Sequence, residues 1–443
     1  MKTNVNVNPA LLTDLYELTM AQAYVEEGLT DSAVFSLFVR KLPKRRNYLL
    51  ACGLEDCLRY LETLRFDHAS LEYLSTLGLF STRFLHYLGD LRFSGDVYAV
   101  AEGTPVFANE PLLEVVAPLP QAQLVETFLM NQVHVQTLLA SKAARVVWAA
   151  RGRAVIDFGV RRMQGTDAGL KGARAFCIAG VDATSNVLAG ATYGVAVAGT
   201  MAHSYVQCHV SELDSFRAFA HRYPATTLLV DTYDTLEGVQ NVVRLARELG
   251  PSFQVRAVRL DSGDLLALSK QARRLLDDAG LAAVRIVASG GLDEEEIFRL
   301  LKNGAPIDAF GVGTAMGVSA DAPSLDLAYK LVAYAGKGRT KLSPGKEIWP
   351  GQKQVFRQES GDVLGLIEEK LPGTPLLRQV MRAGARTPEG KDDWRAARAR
   401  AEREIGRLPE RLRALSAADP PYSVEVSERL HAERATVEVF VRQ

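Results

Sequence analysis

Between positions 154 and 314, short apolar runs are each followed by residues that can handle phosphate: arginine, aspartate, histidine, serine and paired glycines. Phe158, Arg161 and Arg162 follow the run 154–157, Asp182 and Ser185 follow 175–179, and Thr200 and His203 follow 195–198. Asp231 and Asp234 follow 227–230, while Arg259, Asp261, Ser262 and Asp264 lie at or just past the end of 255–260. Ser289, Gly290 and Gly291 follow 285–288, and Gly311, Gly313 and Thr314 follow 307–310. Guanidinium forks bind phosphate oxygens, and carboxylates hold magnesium directly or through water, so this set suits a polyphosphate carried with magnesium. Glycines let backbone N–H groups approach an anion closely. Singly, each feature has a plain explanation: Gly-Gly is usually a turn, Asp-Ser-Gly-Asp a helix cap, a lone histidine structural. Their coincidence at matching positions favours a phosphate-handling site.

Such residues converge only if the runs are neighbouring strands. Seven runs alternating with helical stretches favour parallel pairing, because parallel strands need crossover connections and these are usually helices. A barrel and an open doubly wound sheet both fit. No Gly-x-Gly-x-x-Gly follows the first run, which counts against a dinucleotide-binding open sheet and favours a barrel with its site at one rim. Before this region the pattern is mixed, with helical stretches at 54–63 and 124–150, an extended piece at 96–101, and turns at Pro105, Pro111, Pro118 and Pro120. Beyond Gly336 come a turn-rich segment and a charged stretch at 392–415 that reads as a solvated helix face.

Composition narrows the classes. The chain has 443 residues, 47% apolar and 23% charged, the balance of a globular protein with two domains as the prior. Lysine plus arginine equal aspartate plus glutamate at 52 each, so no excess positive charge is spread over the chain for a nucleic-acid backbone. Cys52, Cys57, Cys177 and Cys208 form no disulfide framework or Cys-x-x-Cys pair, and Cys208-His209 lacks the further ligands of a zinc site. Asp14 and Glu17 interrupt the N-terminal apolar residues, unlike a secretory signal, and 187–201 is too short and glycine-rich to span a bilayer. No membrane and a cytoplasmic location are expected.

Ordered motifs carry a family resemblance. LLTDLYELTMAQAY near the start, DFGVRR at 157–162, GVDATSNVLAG at 180–190, GTMAHSYV at 199–206 and VRLDSGDL at 258–265, joined by GVGTAMGV and KLSPGKEIWPGQKQVFR, resemble nicotinate phosphoribosyltransferase. The resemblance runs from about Leu11 to Arg357. It implies an α/β fold that pairs an irregular parallel α/β barrel (141–335) with an α/β sandwich domain drawn from both chain ends (1–140 and 336–443), working as a homodimer. It also implies transfer of the phosphoribosyl group of phosphoribosyl pyrophosphate to nicotinate, in NAD biosynthesis, with ATP and Mg2+ as cofactors and without direct protein ligands assigned to the metal.

Residue roles follow from the same resemblance. Nicotinate would stack between Phe158 and Tyr16, the latter contributed by the partner subunit. Arg259 would meet the nicotinate carboxylate or the phosphoribosyl end, with Asp261 on the same side of the strand, and Arg161 and Arg162 would add positive charge. Thr200 would lie at the nicotinate, one turn before His203 if a helix begins at Gly199-Thr200. His203 would accept the γ-phosphate of ATP. Independently of the resemblance, Ser289, Gly290, Gly291, Gly313 and Thr314 follow the sixth and seventh runs, where barrel enzymes often bind phosphate, and would receive it. Ser185 aligns with an acid that accepts the amide N–H in the nicotinamide-using relative; being neutral, it favours nicotinate. A barrel enzyme with a Schiff-base lysine is a rival, but Lys171, Lys302 and Lys330 are expected in loops or helices. A binding module without activity is the other. His134 and His209 match no motif and read as structural, and the region after Gly373 carries no assigned chemistry.

Overall fold

A computed structural model describes residues 8–343 and 348–442. Residues 1–7, which open the stretch read above as no secretory signal, and 344–347, within KLSPGKEIWPGQKQVFR, lie outside the described residues. The chain divides into two compact units, Met1–Leu138 with Ser324–Gln443, and Leu139–Pro323.

The first unit is built on a seven-stranded antiparallel sheet fed by both chain ends. Ser32–Val39 lies between Leu327–Tyr334 and Pro111–Pro118, and Asp96–Val100 lies between Pro111–Pro118 and Leu377–Arg382. The strand Leu327–Tyr334 thus belongs to this unit, so the second unit ends at Pro323 and not near 335. Its apolar run follows the parallel strands without a break in pattern, and only its antiparallel partner tells it apart. Phe35, Leu37, Leu113, Val115 and Tyr329 are buried, and Phe35 and Tyr329 stack with centroids 4.9 Å apart. The charged stretch beyond 392 is broken into Trp394–Arg407 and Glu410–Arg413, since Pro409 cannot continue a helix.

The second unit is a six-stranded, all-parallel sheet that curls into a half-barrel. Its strands are β1 (Ala154–Asp157), β2 (Ala183–Thr184), β3 (Thr227–Leu229), β4 (Ala257–Leu260), β5 (Arg285–Ala288) and β6 (Ala309–Val312). They pair in the order β2-β1-β6-β5-β4-β3. The helices used below are α1 (Gly165–Ile178), α2 (His203–Gln207), α3 (Thr235–Leu249), α4 (Leu265–Asp278), α5 (Glu294–Lys302) and α6 (Thr314–Gly317). In α4, the buried positions Leu265, Ser269, Ala272 and Leu276 recur at helical spacing and turn one face inward, while Asp264 accepts from the N–H groups of Leu266 and Ala267 to start the helix.

Two expected strands fail. Residues 175–179 lie in and just past the end of α1, where Ala173, Phe176 and Cys177 form a buried face; a short apolar run cannot by itself separate a buried helix from a strand. Residues 195–198 contribute only an isolated bridge between Thr184 and Val197. No helix among the described residues is long and apolar enough to cross a membrane.

Candidate active site

Strand register decides which side chains meet. Arg259 is level with Leu229 on β3 and Val287 on β5, and Asp157 is level with Val312 on β6 and Thr184 on β2. The residues just beyond these levels therefore share one rim. Arg259 is the anomaly of β4, a charged side chain in a strand that is otherwise buried, and burying charge is costly unless it is paired. Its Nη2 donates to Asp261 Oδ1 at 2.9 Å, its Nε to the Ser289 hydroxyl at 2.9 Å, and its Nη1 to the Met201 carbonyl at 3.3 Å. Ser289 in turn donates to Asp261 Oδ1. Burial pushes the Asp261 carboxyl up, but the Ser289 hydroxyl and the Arg259 guanidinium outweigh it and hold Asp261 below its ordinary value.

His203 stands at the first position of α2, with Ala202 as the N-cap. Its Nδ1 lies 3.2 Å from the Thr232 hydroxyl and its Nε2 3.9 Å from Asp261 Oδ2, too long for a hydrogen bond but close enough for attraction when the ring is charged. Thr200 precedes the helix and does not cap it: its hydroxyl takes the N–H of Met201, and the N-cap position is held by Ala202 in an extended conformation. Asp231 Oδ2 accepts from the Asp261 N–H at 3.0 Å and the Ser262 hydroxyl at 2.6 Å, while its Oδ1 is buried without a hydrogen-bond partner among the described residues.

The glycine loops differ from one another. Gly290 has φ +87°, and a Cβ there would fall 1.7 Å from the Asp261 carbonyl oxygen, so only glycine lets the β5 loop close over the end of β4. Gly291, also at positive φ, is open to solvent. The helix that follows offers no anion site, since Asp293 caps it and Glu294, Glu295 and Glu296 fill its first turn. Any phosphate at Ser289-Gly290-Gly291 would be held by the loop. Gly313, by contrast, leads into α6 without a side chain to cap it, and Thr314 is exposed beside it.

Phe158 directly follows β1 and is half-buried, its ring lying against Gly311, where a Cβ would come within 2.4 Å. The Arg259 guanidinium sits 5.5 Å from the centre of that ring. Ser185 donates its N–H to the Asp157 carbonyl at 2.8 Å. Arg161 and Arg162, in the short helix Val160–Arg162, are exposed. Tyr16 belongs to the first unit, 46% exposed at the start of the helix Leu15–Glu27.

Other expected rim residues have structural tasks. Asp234 and Asp264 cap α3 and α4. Asp182 precedes β2 instead of following a strand, and takes the Val155 N–H near the opposite end of β1. His134 accepts from the Leu325 N–H, and His209 Nδ1 lies 2.8 Å from the Tyr205 carbonyl. Lys171 and Lys302 are helical, but Lys330 lies within a strand of the first unit, outside the parallel sheet.

Three features went unread in the sequence. Asp157, buried, binds the Gly159 N–H and the Thr184 hydroxyl, each at 2.7 Å, and so fixes the loop that carries Phe158; burial raises its carboxyl despite these bonds. It opens DFGVRR, so the motif contained the signal. Thr232 at His203 had none beyond following Asp231. Lys142 and Arg145 reach the buried Glu294 at 2.5 and 2.9 Å, anchoring α5 behind the glycine loop.

Among the described residues, no group of three or more His, Cys, Asp or Glu side chains is arranged to hold a metal ion. The free oxygen of Asp231 beside Asp261 suits an ion that takes one or two carboxylate oxygens and completes its shell with substrate phosphates and water, as magnesium does.

Comparison with known proteins adds three findings. Residues 11–134 match the model of the nicotinate phosphoribosyltransferase N-terminal domain, and residues 154–342 match that of the nicotinate phosphoribosyltransferase family. The chain is 55% identical to a nicotinate phosphoribosyltransferase of Mycobacterium tuberculosis (strain ATCC 25618 / H37Rv), with 96% of this chain and 93% of the relative covered, and 41% identical to that of Bacillus subtilis (strain 168), with 83% and 78% covered. The crystal structure of human nicotinic acid phosphoribosyltransferase superposes with a TM-score of 0.85 at 31% identity, covering 96% of this chain and 99% of the human one.

Proposed function

The chain belongs to the nicotinate phosphoribosyltransferase family, an enzyme family of NAD biosynthesis, and from that premise we propose how its residues divide the work. The observation that carries the reading is the Arg259–Asp261–Ser289 cluster with His203 at its edge, on one rim of the parallel sheet.

Nicotinate lies on the face of Phe158 with its carboxylate toward the Arg259 guanidinium, which Asp261 and Ser289 hold in one orientation. The ring nitrogen attacks ribose carbon 1 of phosphoribosyl pyrophosphate, and the bond from that carbon to pyrophosphate breaks. The transition state carries positive charge on the sugar and growing negative charge on the leaving group. Backbone N–H groups at Gly290, Gly291, Gly313 and Thr314 face the phosphates, and Arg161 adds charge from the exposed short helix Val160–Arg162. Asp231 and Asp261 would hold magnesium, which, when bound, neutralises charge on the pyrophosphate.

ATP enters as a second substrate. A His203 ring nitrogen attacks the γ-phosphorus, ADP leaves, and water later cleaves the phosphohistidine; Asp261 favours the ring as it gains positive charge. ATP coupling, phosphohistidine and magnesium rest on the family resemblance together with this geometry.

The proposed assembly is a homodimer in the cytoplasm. Leu12, Leu15, Tyr16 and Met20 form an exposed apolar group at the N-terminal helix, the kind of surface a second subunit covers, and Tyr16 would complete the partner's base site.

The base assignment is tested by competition among nicotinate, nicotinamide and quinolinate for one pool of phosphoribosyl pyrophosphate. With neutral Ser185 and paired Arg259, nicotinate should be preferred by about 100-fold or more in kcat/KM. A higher kcat/KM for nicotinamide would remove this reading of the site.

A further inference from the structure

The first unit contains a cavity of about 1100 Å³, lined by none of the residues assigned to the His203 rim and walled by the strand Lys353–Arg357 and the turn after it, the strand Leu377–Arg382 and the helix Trp394–Arg407. Arginine dominates its lining, with Arg357, Arg378, Arg400, Arg403 and Arg407 against the carboxylates of Glu359 and Glu404. Arg357 is built in: its Nε and Nη2 donate to the two oxygens of the buried Asp362 carboxylate at 3.1 and 2.7 Å. Its guanidinium lies 5.5 Å from the centre of the Phe107 ring, and Phe107 stacks on Tyr422 at 3.5 Å. The Tyr422 hydroxyl returns to Asp362 at 2.8 Å, closing the frame. This fixes Arg357 and leaves its Nη1 without a partner among the described residues.

The other cations are under-compensated. Arg403 and Arg407 both turn to one oxygen, Glu404 Oε1, at 3.0 and 3.3 Å, and Arg378 meets no carboxylate among the described residues. Arg400, on the same helix, shows what a structural arginine looks like here: it bonds Asp392 and the Glu102 carbonyl, each at 2.5 Å. The chain as a whole is neutral, so this concentration of guanidinium is local. Guanidinium groups with free donors around a concave space suit phosphate oxygens. The volume lies just above the usual range for small-molecule sites, about 300–1,000 Å³, and admits a nucleotide.

We propose that this cavity is a second binding site, for a small anion of nucleotide size carrying two or more phosphates, with the phosphates on Arg357, Arg378, Arg403 and Arg407 and the ring system beside Tyr422. It does not depend on the chemistry assigned to the His203 rim.

Hydrogen-exchange mass spectrometry on the full chain tests it, with inorganic tripolyphosphate and a non-hydrolysable ATP analogue as probes. Tripolyphosphate should slow exchange in peptides covering 353–378 and 394–409. Arg378→Glu/Arg407→Glu should abolish that protection and weaken binding there by at least about tenfold, leaving any protection at 289–291 and 313–316 unchanged. Arg378→Gln/Arg407→Gln, checked for an unchanged melting temperature, should give an intermediate loss and separates lost charge from misfolding. The nucleotide analogue should bind this site more tightly than tripolyphosphate and also protect 420–424; equal affinity would contradict the nucleotide part of the proposal. Protection confined to the second unit, or kept by both variants, overturns the site itself.

Discussion

Ser289 illustrates how one residue can bind two strand ends together, since its hydroxyl touches both Arg259 and Asp261 while its N–H pairs with the Leu260 carbonyl. The next residue closes the turn. Gly290→Ala places a methyl group against the Asp261 backbone at a φ that L-residues avoid, so we expect a loss of about 2–4 kcal/mol of stability. Displacing Asp261 by about 1 Å, as relief of that contact requires, should also lower kcat/KM about 100-fold. Gly291→Ala is the control, with the same sign of φ but open space, and should cost only about 1–2 kcal/mol. Urea unfolding and steady-state rates on both variants decide; equal effects would mean that the close approach at Gly290 carries no weight. Residues of this kind were legible in the sequence where a motif marked them, as with Arg259, Asp261 and His203. Thr232 was not, because a hydroxyl beside a strand looks the same whether it caps, braces or reacts; Asp157 stood in a marked motif, but its bracing role shows only in the fold.

Among the elements, the helix Leu15–Glu27 shows how position and protonation are linked. Glu17 is buried on it, next in sequence to the exposed Tyr16. Burial pushes the Glu17 carboxyl from 4.5 to about 7, against the Thr127 and Thr13 hydroxyls and the Thr127 N–H, which favour the charged form. Because the folded value is the higher one, the folded state binds more protons than the unfolded chain across this window. The stabilisation is complete below pH 4.5 and is lost as pH rises through about 7. Melting temperatures measured across that range should fall more steeply for the native chain than for Glu17→Gln; parallel curves would show that Glu17 ionises normally. At this scale the sequence was clear where periodicity was strong, as in α4, and misleading where it was short. Residues 175–179 read as a strand yet are buried helix, and 195–198 lacks the partners a strand needs. Ladder pairing is a tertiary property, and neither run could announce it.

At the scale of the whole molecule, the antiparallel sheet was the least legible feature, because Leu327–Tyr334 pairs with a strand nearly 300 positions earlier and nothing local records the partner. The alternation of runs and helices, by contrast, foretold the parallel sheet that gathers Arg259, Asp261, Ser289 and Phe158 on one rim. If Tyr16 completes the partner's site, Tyr16→Ala and His203→Ala chains, each deficient in ATP-coupled turnover, should regain about a quarter of it on random subunit exchange, since one site in each mixed dimer is intact. No recovery despite demonstrated exchange would place the whole site within one chain. The central claim, that the Arg259 rim performs transfer and His203 only couples it to ATP, meets its most direct test in one assay. Nicotinate, phosphoribosyl pyrophosphate and magnesium are incubated with the native chain or with His203→Ala, with and without ATP, and nicotinate mononucleotide and ADP are followed together. The native chain should form product faster with ATP and release ADP, while His203→Ala should form it slowly at a rate that ATP does not change, with no ADP released. ATP stimulation and ADP release that persist in His203→Ala would contradict the account.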